Sequence, residues 1–159
     1  MQKLELLSKE RLPLMITVLM GCPAAGKSTW VEQNKAGDEY IYTADAIRMN
    51  RDIDVNHYMN WIRGKASIEA SKGRSIIADA THTIDIHRRF WLRLASKYNQ
   101  DKRLVVLDTG LKTALLQNVG RQYPAPSKIV IQHWKRCQNA LSKIDSEGWD
   151  SIEIVRRGY

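Results

Sequence analysis

The stretch that decides the fold of this 159-residue chain reads Gly21-Cys22-Pro23-Ala24-Ala25-Gly26-Lys27-Ser28-Thr29. Its first eight residues match the pattern G-x-x-x-x-G-K-[ST] of a phosphate-binding loop, or P-loop. The two glycines permit the backbone turns that aim successive N–H groups into one concavity. Lys27 is expected to reach the β- and γ-phosphates of a nucleotide, and Ser28 to bind Mg²⁺ through its hydroxyl. The sequence therefore predicts an ATP-binding site formed by residues 21–29.

The surroundings of the loop have the pattern that the motif requires. An apolar run over 14–20 predicts a buried strand before it, and a helix is expected from Lys27 to about Gln33. Further strands are expected at 40–42, 75–78, 104–107 and 152–155, and further helices at 55–72, 86–98, 113–118 and from Ser127 onward. Apolar strands separated by helices predict a three-layer α/β fold with a parallel sheet of about five strands.

Two of the predicted helices have an apolar face. The inner residues of the first are Ile86, Phe90, Trp91, Leu94 and Tyr98, at spacings of one to four residues. Arg88 and Arg89 are expected on its solvent face. The second is expected to be capped by Ser127, with the inner residues Ile131, Trp134, Cys137 and Leu141. On the 55–72 helix, Tyr58 and Trp61 are expected in the core rather than stacked on a nucleobase.

The composition places the chain among ordinary globular proteins. Its 43% hydrophobic and 26% charged residues exclude a disordered chain or a collagen-like repeat. Two cysteines, Cys22 and Cys137, are too few for a disulfide scaffold and are expected to be reduced thiols. There is no run of 18 apolar residues, and the lead over 1–13 lacks a signal-peptide pattern. A single cytoplasmic domain over 1–159 is therefore expected, with no membrane partner.

The positive charge is concentrated in the second half of the chain. The net charge is +8, and residues 85–159 supply seven of these charges through 14 basic and 7 acidic side chains. A one-sided basic excess favours a nucleic-acid partner, because phosphate contacts give affinity that does not depend on sequence. An enzyme that handles nucleotides also needs basic residues for the nucleotide itself, so both interpretations stay open.

Three aspartates follow predicted strands, at the sheet edge where ligands bind in open parallel sheets. Asp45 is followed three residues later by Arg48, so the pair offers a proton acceptor beside a phosphate-binding cation. Asp79 ends the third strand, where a carboxylate supports bound Mg²⁺. Asp108 is expected to cap the turn Asp108-Thr109-Gly110.

A short basic segment is expected to cover the nucleotide. Arg121 follows the predicted 113–118 helix and precedes Pro124 and Pro126. A mobile lid over about 111–126 would bring this arginine onto the phosphate charge that develops during transfer. A surface arginine remains the alternative.

Further features narrow the class of P-loop protein. An N-K-x-D element for guanine is absent, which disfavours a GTPase, and the chain length disfavours the larger recombinase and AAA+ cores. The histidines have no spacing typical of a zinc site. A small phosphotransferase fits these observations best.

The motifs together resemble those of the phage-type polynucleotide kinases and their relatives among small P-loop kinases. The resemblance covers about 14–145 and rests on residues 21–30, Thr43-Ala44-Asp45-Ala46-Ile47-Arg48, Ile76-Ile77-Ala78-Asp79-Ala80-Thr81 and Arg88-Arg89-Phe90-Trp91. It implies a P-loop NTPase fold with a short helical lid, and ATP and Mg²⁺ as cofactors. In the family's lid a second arginine often stands one turn before Arg121, where this chain has Asn118.

The resemblance also implies roles for single residues. Asp45 would be the general base on the acceptor hydroxyl, and Arg48 would hold the acceptor's phosphate. Lys27 would stabilise the transferring phosphoryl group and Ser28 would hold Mg²⁺. Arg121 would be the lid arginine, and Asp79 would support the metal or the acceptor.

The resemblance implies a kinase that phosphorylates a hydroxyl on nucleic acid, with DNA favoured over RNA. The preferred acceptor is the 5′-hydroxyl of a strand end. The alternative is the hydroxymethyl group of 5-hydroxymethyluracil in DNA, on which phage relatives act, and either would place the protein in the cytoplasm of a phage-infected host cell. A small-metabolite kinase and a nucleotide-binding interaction module without turnover remain further alternatives.

Overall fold

The computed structural model describes residues 13–44, 49 and 52–159. Its strands are β1 Met15–Met20, β2 Tyr40–Thr43, β3 Ile76–Asp79, β4 Asp101–Thr109 and β5 Ser151–Arg157. Its helices are α1 Lys27–Asn34, α2 Val55–Ser71, α3 Asp85–Lys97, α4 Leu111–Val119 and α5 Ser127–Ala140, followed by a 3₁₀ helix over Ile144–Ser146. The strands form one parallel sheet in the order β2-β3-β1-β4-β5. The predicted α/β fold is confirmed.

The core lies on both faces of the sheet. Successive residues of β1 and β4 alternate between two hydrophobic clusters, because side chains of a strand point to opposite faces in turn. The first cluster joins Ile16, Val18 and Met20 to buried residues of α2 and α3. The second joins Leu19 to buried residues of α1 and α4. Helix α5 contributes Cys137 to the first cluster and Val130 to the second. No helix within the described residues is long and apolar enough to cross a membrane.

Strands β4 and β5 are longer than their apolar runs. β4 begins at Asp101, because the polar residues 101–103 pair with Met15–Thr17 of β1. β5 extends to Arg157 through its pairing with β4, although most of its residues are exposed at the edge of the sheet. Backbone pairing therefore sets the start of β4 and the end of β5, and the hydrophobic pattern of the sequence does not show these positions.

Several predicted burial assignments are wrong. Ile86 and Trp61 are 56% and 54% exposed, whereas both were expected inside. In α5, Ser127 is the first helical residue and Pro126 stands in the cap position, where no side chain from the described part of the chain caps the helix. The fully buried apolar residue near its start is Val130 rather than Ile131. Both cysteines are free thiols in the core, as predicted.

The largest correction concerns Arg88, which is 1% exposed, while Arg89 lies on the surface as predicted. Arg88 Nε donates to Glu147 Oε2 at 3.0 Å and Oε1 at 3.1 Å, and Arg88 Nη1 donates to the His82 carbonyl at 2.9 Å. Trp149 Nε1 also donates to Glu147, at 2.9 Å. Burial works against ionisation of Glu147, yet the hydrogen bonds from Arg88 and Trp149 leave its pKa lowered. The pair ties α3 to the loop before it and to the segment after α5.

We expect Arg88→Met to lower the free energy of unfolding by about 3–5 kcal/mol, because it leaves the Glu147 charge largely buried without its cation. The neighbouring Arg89→Gln is the matched control. Its ion pair with Asp85 is more than half exposed on both sides and should be worth less than about 1 kcal/mol. Urea unfolding of the two variants measures both values. Equal losses of unfolding free energy in the two variants would contradict a stabilising role for the buried Arg88–Glu147 pair.

Candidate functional site

The P-loop connects β1 to α1 at the centre of the sheet, and both neighbouring strands hold it. The Gly21 N–H donates to the carbonyl of Thr81, just past the end of β3, at 3.0 Å. The hydroxyl of Thr109, the last residue of β4, donates to the Ala25 carbonyl at 2.8 Å. A Cβ on Gly21 would lie 3.0 Å from the Leu107 carbonyl oxygen, so the loop packs this closely on β4 because position 21 is glycine.

The loop backbone has the left-handed conformations that a phosphate cradle requires. Ala24 has φ 63° and Gly26 has φ 103°, and Gly26 stands at the N-terminus of α1. No side chain of the described residues caps this helix, and its N-terminal N–H groups and its dipole favour an anion. Cys22 is buried, and burial, only partly opposed by Lys27, raises the pKa of its thiol. It is therefore a packing residue rather than a nucleophile.

Lys27 lies inside the loop that it is expected to serve. Its side chain is 9% exposed, and Nζ donates to the carbonyls of Gly21 at 3.1 Å and Cys22 at 2.8 Å. These bonds hold the ammonium group within the cradle. A phosphate bound there would meet a cation whose position is already fixed.

Ser28 and Asp79 meet across the sheet edge. Ser28 Oγ donates to Asp79 Oδ2 at 3.0 Å, although the two residues are 51 positions apart. Asp79 ends β3, which neighbours β1, and it is 9% exposed. A hydroxyl and a carboxylate side by side fit Mg²⁺, which binds to one or two protein oxygens and completes its shell with phosphates and water. Among the described residues there is no group of three or more His, Cys, Asp or Glu that could hold a metal by itself.

A cavity of about 1470 Å³ opens in front of the P-loop. This volume exceeds the roughly 300–1000 Å³ of a site for one small ligand, so there is room for a nucleotide and an acceptor together. The part of its lining that comes from the α4–α5 region and the end of β5, which we call the donor side, is formed by Gln117, Arg121, Pro124, Ala125, Pro126 and Arg157. The part that comes from α2 and the start of α3, which we call the acceptor side, is formed by Val55, Asn56, Met59, Asn60, Arg63 and His87.

The lid region consists of α4 and the loop that leads to α5. Its base is part of the core, because Ala114 is fully buried. Asn118, also buried, donates to the Ala125 carbonyl at 2.7 Å and accepts from the Ala125 N–H at 3.0 Å. This amide pair closes the loop that carries Arg121 along the cavity wall. Whether the lid moves stays a prediction.

Two histidines beside the P-loop are held neutral. His82 is buried; its Nδ1 lies 2.8 Å from the Leu19 carbonyl and its Nε2 accepts from Trp91 Nε1 at 2.9 Å. These partners place its proton on Nδ1. Burial lowers the pKa of His82 to about 3. His133 Nδ1 lies 2.7 Å from Thr83 Oγ1, and burial followed by the charge of Arg136 lowers its pKa to about 4.

The structure brings together only some of the predicted site residues. Lys27, Ser28, Asp79 and Arg121 line one cavity, and their roles in it stay predictions. Asp45 and Arg48 lie outside the described residues, so their roles stay predictions. Asp108 does not cap a turn: it is buried and accepts hydrogen bonds from Gln138, Arg156 and Tyr159.

Other cavity residues were missed by the sequence analysis. Arg157 could have been found, because it follows the last strand of a parallel sheet, whose carboxyl ends all reach the same edge. His133 and Arg63 carried no such signal, because their helices are brought to the cavity by packing alone.

Comparisons with known proteins agree with this geometry. The model of the AAA domain family matches residues 16–144. The length argument against an AAA-type core therefore does not hold for this family.

Solved structures share the fold. Deoxyadenosine kinase from M. mycoides with bound dATP has a TM-score of 0.57 and 18% identity, covering 89% of this chain and 91% of its own. The same enzyme with dCMP and dCDP gives a TM-score of 0.56 at 18% identity, covering 89% and 90%. A protein from Chloroflexus aurantiacus that is classed as a kinase gives 0.62 at 14% identity, covering 92% and 86%. The TM-scores of these structures establish a P-loop kinase-like fold. Their sequence identities are too low to indicate the substrate of this chain.

The buried histidines predict how stability depends on pH. In the unfolded chain a histidine takes up a proton below about pH 6.5, whereas folded His82 and His133 stay neutral to lower pH. Because the unfolded state alone gains these protons, the free energy of unfolding should fall as the pH drops from about 6.5 toward 4. His82 by itself should account for about 2 kcal/mol at pH 5 relative to pH 7.

Urea unfolding at pH 7 and pH 5 measures this loss. His133→Gln should reduce it, and His57→Gln, at an exposed position, serves as the control. If the wild-type protein had the same free energy of unfolding at both pH values, the conclusion that His82 and His133 are neutral in the fold would be wrong.

Proposed function

Because the chain belongs to the AAA domain family and has a P-loop kinase-like fold, we propose that it is an ATP- and Mg²⁺-dependent kinase that phosphorylates a hydroxyl group. The observation that carries this proposal is the pairing of Ser28 with Asp79 beside Lys27, in a cavity that continues past the P-loop to α2. A site for nucleotide alone would not need the acceptor side.

On the donor side the loop N–H groups and Lys27 bind the phosphates of ATP, and Arg121 covers them from the lid region. Ser28 and Asp79 hold Mg²⁺, which when bound neutralises phosphate charge. During transfer a bond forms between the acceptor oxygen and the γ-phosphorus, and the bond from that phosphorus to the β–γ bridging oxygen breaks. Lys27 stabilises the charge that develops on the transferring group.

The acceptor proton passes to a carboxylate, which we assign to Asp45 on the resemblance to the polynucleotide kinases. Arg48 holds a phosphate of the acceptor on the same ground. Thr43, two residues before Asp45, pairs in register with Asp79, so β2 delivers the chain to the metal-binding edge of the sheet.

We propose a nucleic acid as the acceptor, and the 5′-hydroxyl of a DNA strand end in preference to RNA. The charge of the acceptor side supports this. The pKa of His87 is lowered first by burial and then by the nearby charges of Arg63, Arg136 and Arg88. Because Arg88 is buried and paired with Glu147, the positive charge near His87 comes from Arg63 of α2 and Arg136 of α5, and it suits a polyanion. The same positive charge would also suit DNA that contains 5-hydroxymethyluracil, whose hydroxymethyl group is the alternative acceptor.

A small-molecule kinase is the second candidate. The fold is shared with a deoxyadenosine kinase, and Asn56 and Asn60 offer amide groups of the kind that orient a small polar ligand. A neutral nucleoside would make little use of the positive charge on the acceptor side.

We would test the acceptor with γ-labelled ATP, Mg²⁺ and four acceptors: 5′-OH DNA, 5′-OH RNA, 5′-blocked DNA that contains 5-hydroxymethyluracil, and a pool of nucleosides and metabolites. Label on 5′-OH DNA is the expected result. Label mainly on the blocked DNA would select the modified base, and label in the pool alone would overturn the nucleic-acid acceptor. Bound ATP without transfer to any of them would favour an interaction module.

The assigned base gives a kinetic prediction. Asp45→Asn should lower turnover by about 10²–10⁴-fold and leave ATP affinity nearly unchanged, because the carboxylate acts on the acceptor alone. Lys27→Ala should weaken both ATP binding and transfer. Initial rates and calorimetric titration with ATP separate the two effects. Near wild-type turnover of Asp45→Asn would remove Asp45 from the mechanism.

A further inference from the structure

A second arginine reaches the P-loop from the end of β5. A Cβ on Gly26 would lie 3.2 Å from Arg157 Nη2 and 3.3 Å from its Cζ. The guanidinium group therefore lies against the one P-loop glycine that also has a left-handed backbone, at the N-terminus of α1. Arg157 lines the same cavity as Lys27 and Ser28.

The partners of Arg157 differ from those of its neighbours. Arg156 Nε donates to the buried carboxylate of Asp108 at 3.1 Å, and Arg103 pairs with Glu153 at 2.8 Å. Within residues 13–44, 49 and 52–159, no carboxylate lies within salt-bridge distance of Arg157. Its charge is thus directed at the cradle and is not neutralised there by an acidic side chain of the described chain.

The backbone of Arg157 is fixed at the base of the lid region. Its carbonyl accepts from the Gly110 N–H at 3.0 Å, and the next carbonyl, of Gly158, accepts from Thr113 Oγ1 at 2.7 Å. The arginine is therefore held between the P-loop and the start of α4. At the lid position one turn before Arg121, Asn118 is committed to Ala125 and carries no charge.

The geometry points to Arg157 as a nucleotide-binding residue that contacts the polyphosphate of the donor and forms a two-arginine clamp with Arg121. This inference rests on the proposed function. A guanidinium group binds phosphate oxygens through charge-assisted hydrogen bonds, and this one reaches the P-loop at Gly26 from the end of β5. The second cation of the clamp thus comes from the sheet and not from the lid helix.

The test compares Arg157→Gln, Arg157→Lys and the control Arg89→Gln, which removes one charge from an exposed site. The affinity of each variant for an ATP analogue with a β–γ methylene bridge is measured by calorimetry in the presence of Mg²⁺. Arg157→Gln should weaken binding by about 10–100-fold, as expected for the loss of a hydrogen-bonded charge. Arg157→Lys should recover most of the affinity, and Arg89→Gln should bind like the wild type.

A second measurement uses the unaltered protein, in case the Gln variant folds poorly. ADP should slow the modification of Arg157 by phenylglyoxal, followed by mass spectrometry, and should leave Arg156 unaffected. Wild-type affinity in Arg157→Gln would overturn the assignment, as would equal losses in the Gln and Lys variants or the absence of protection. A protein that binds no nucleotide overturns both proposals, whereas binding without transfer to any acceptor contradicts the kinase proposal alone.

Discussion

The attachment of the P-loop to the strands on either side of β1 is the constraint on which the rest of the site depends. β1 lies between β3 and β4, and the loop makes one hydrogen bond to each side: the Gly21 N–H donates to Thr81 and the Ala25 carbonyl accepts from Thr109. Because the carboxyl ends of parallel strands meet at one edge, the same arrangement delivers Asp79 to Ser28. The phosphate cradle and the carboxylate that we assign to Mg²⁺ are thus positioned by a single sheet topology.

A buried polar network supports this edge from the side of α3. His82 links the end of β1 to Trp91, and Arg88 links the His82 carbonyl to Glu147. A charged pair buried this deeply is a poor source of net stability, yet it fixes the loop between β3 and α3 because Arg88 and Glu147 each have two well-placed partners. That loop provides the Thr81 carbonyl on which the P-loop rests. Packing far from the nucleotide therefore sets the geometry of the cradle.

The hydrophobic pattern predicted the α/β fold and placed the strands around the P-loop well, while errors arose where long-range pairing decides the outcome. Arg88 looked like a surface residue because its partner, Glu147, is 59 positions away. Ile86 and Trp61 fit the apolar spacing of their helices, but the sheet leaves them exposed. In the candidate site, local motifs identified Lys27, Ser28 and Asp79, and the contributions of Arg157 and His133 depended on where β5 and α5 pack.

The sequence by itself determined the phosphate cradle and its place after a buried strand. A P-loop is a local structure, and its glycines, lysine and hydroxyl are adjacent in the chain. The tertiary structure alone decided which charges surround that cradle. Arg157 arrives through the pairing of β5 with β4, and Arg63 and His133 arrive on helices packed against different strands. Such contacts join residues far apart in sequence, and only the folded sheet determines which of them become neighbours.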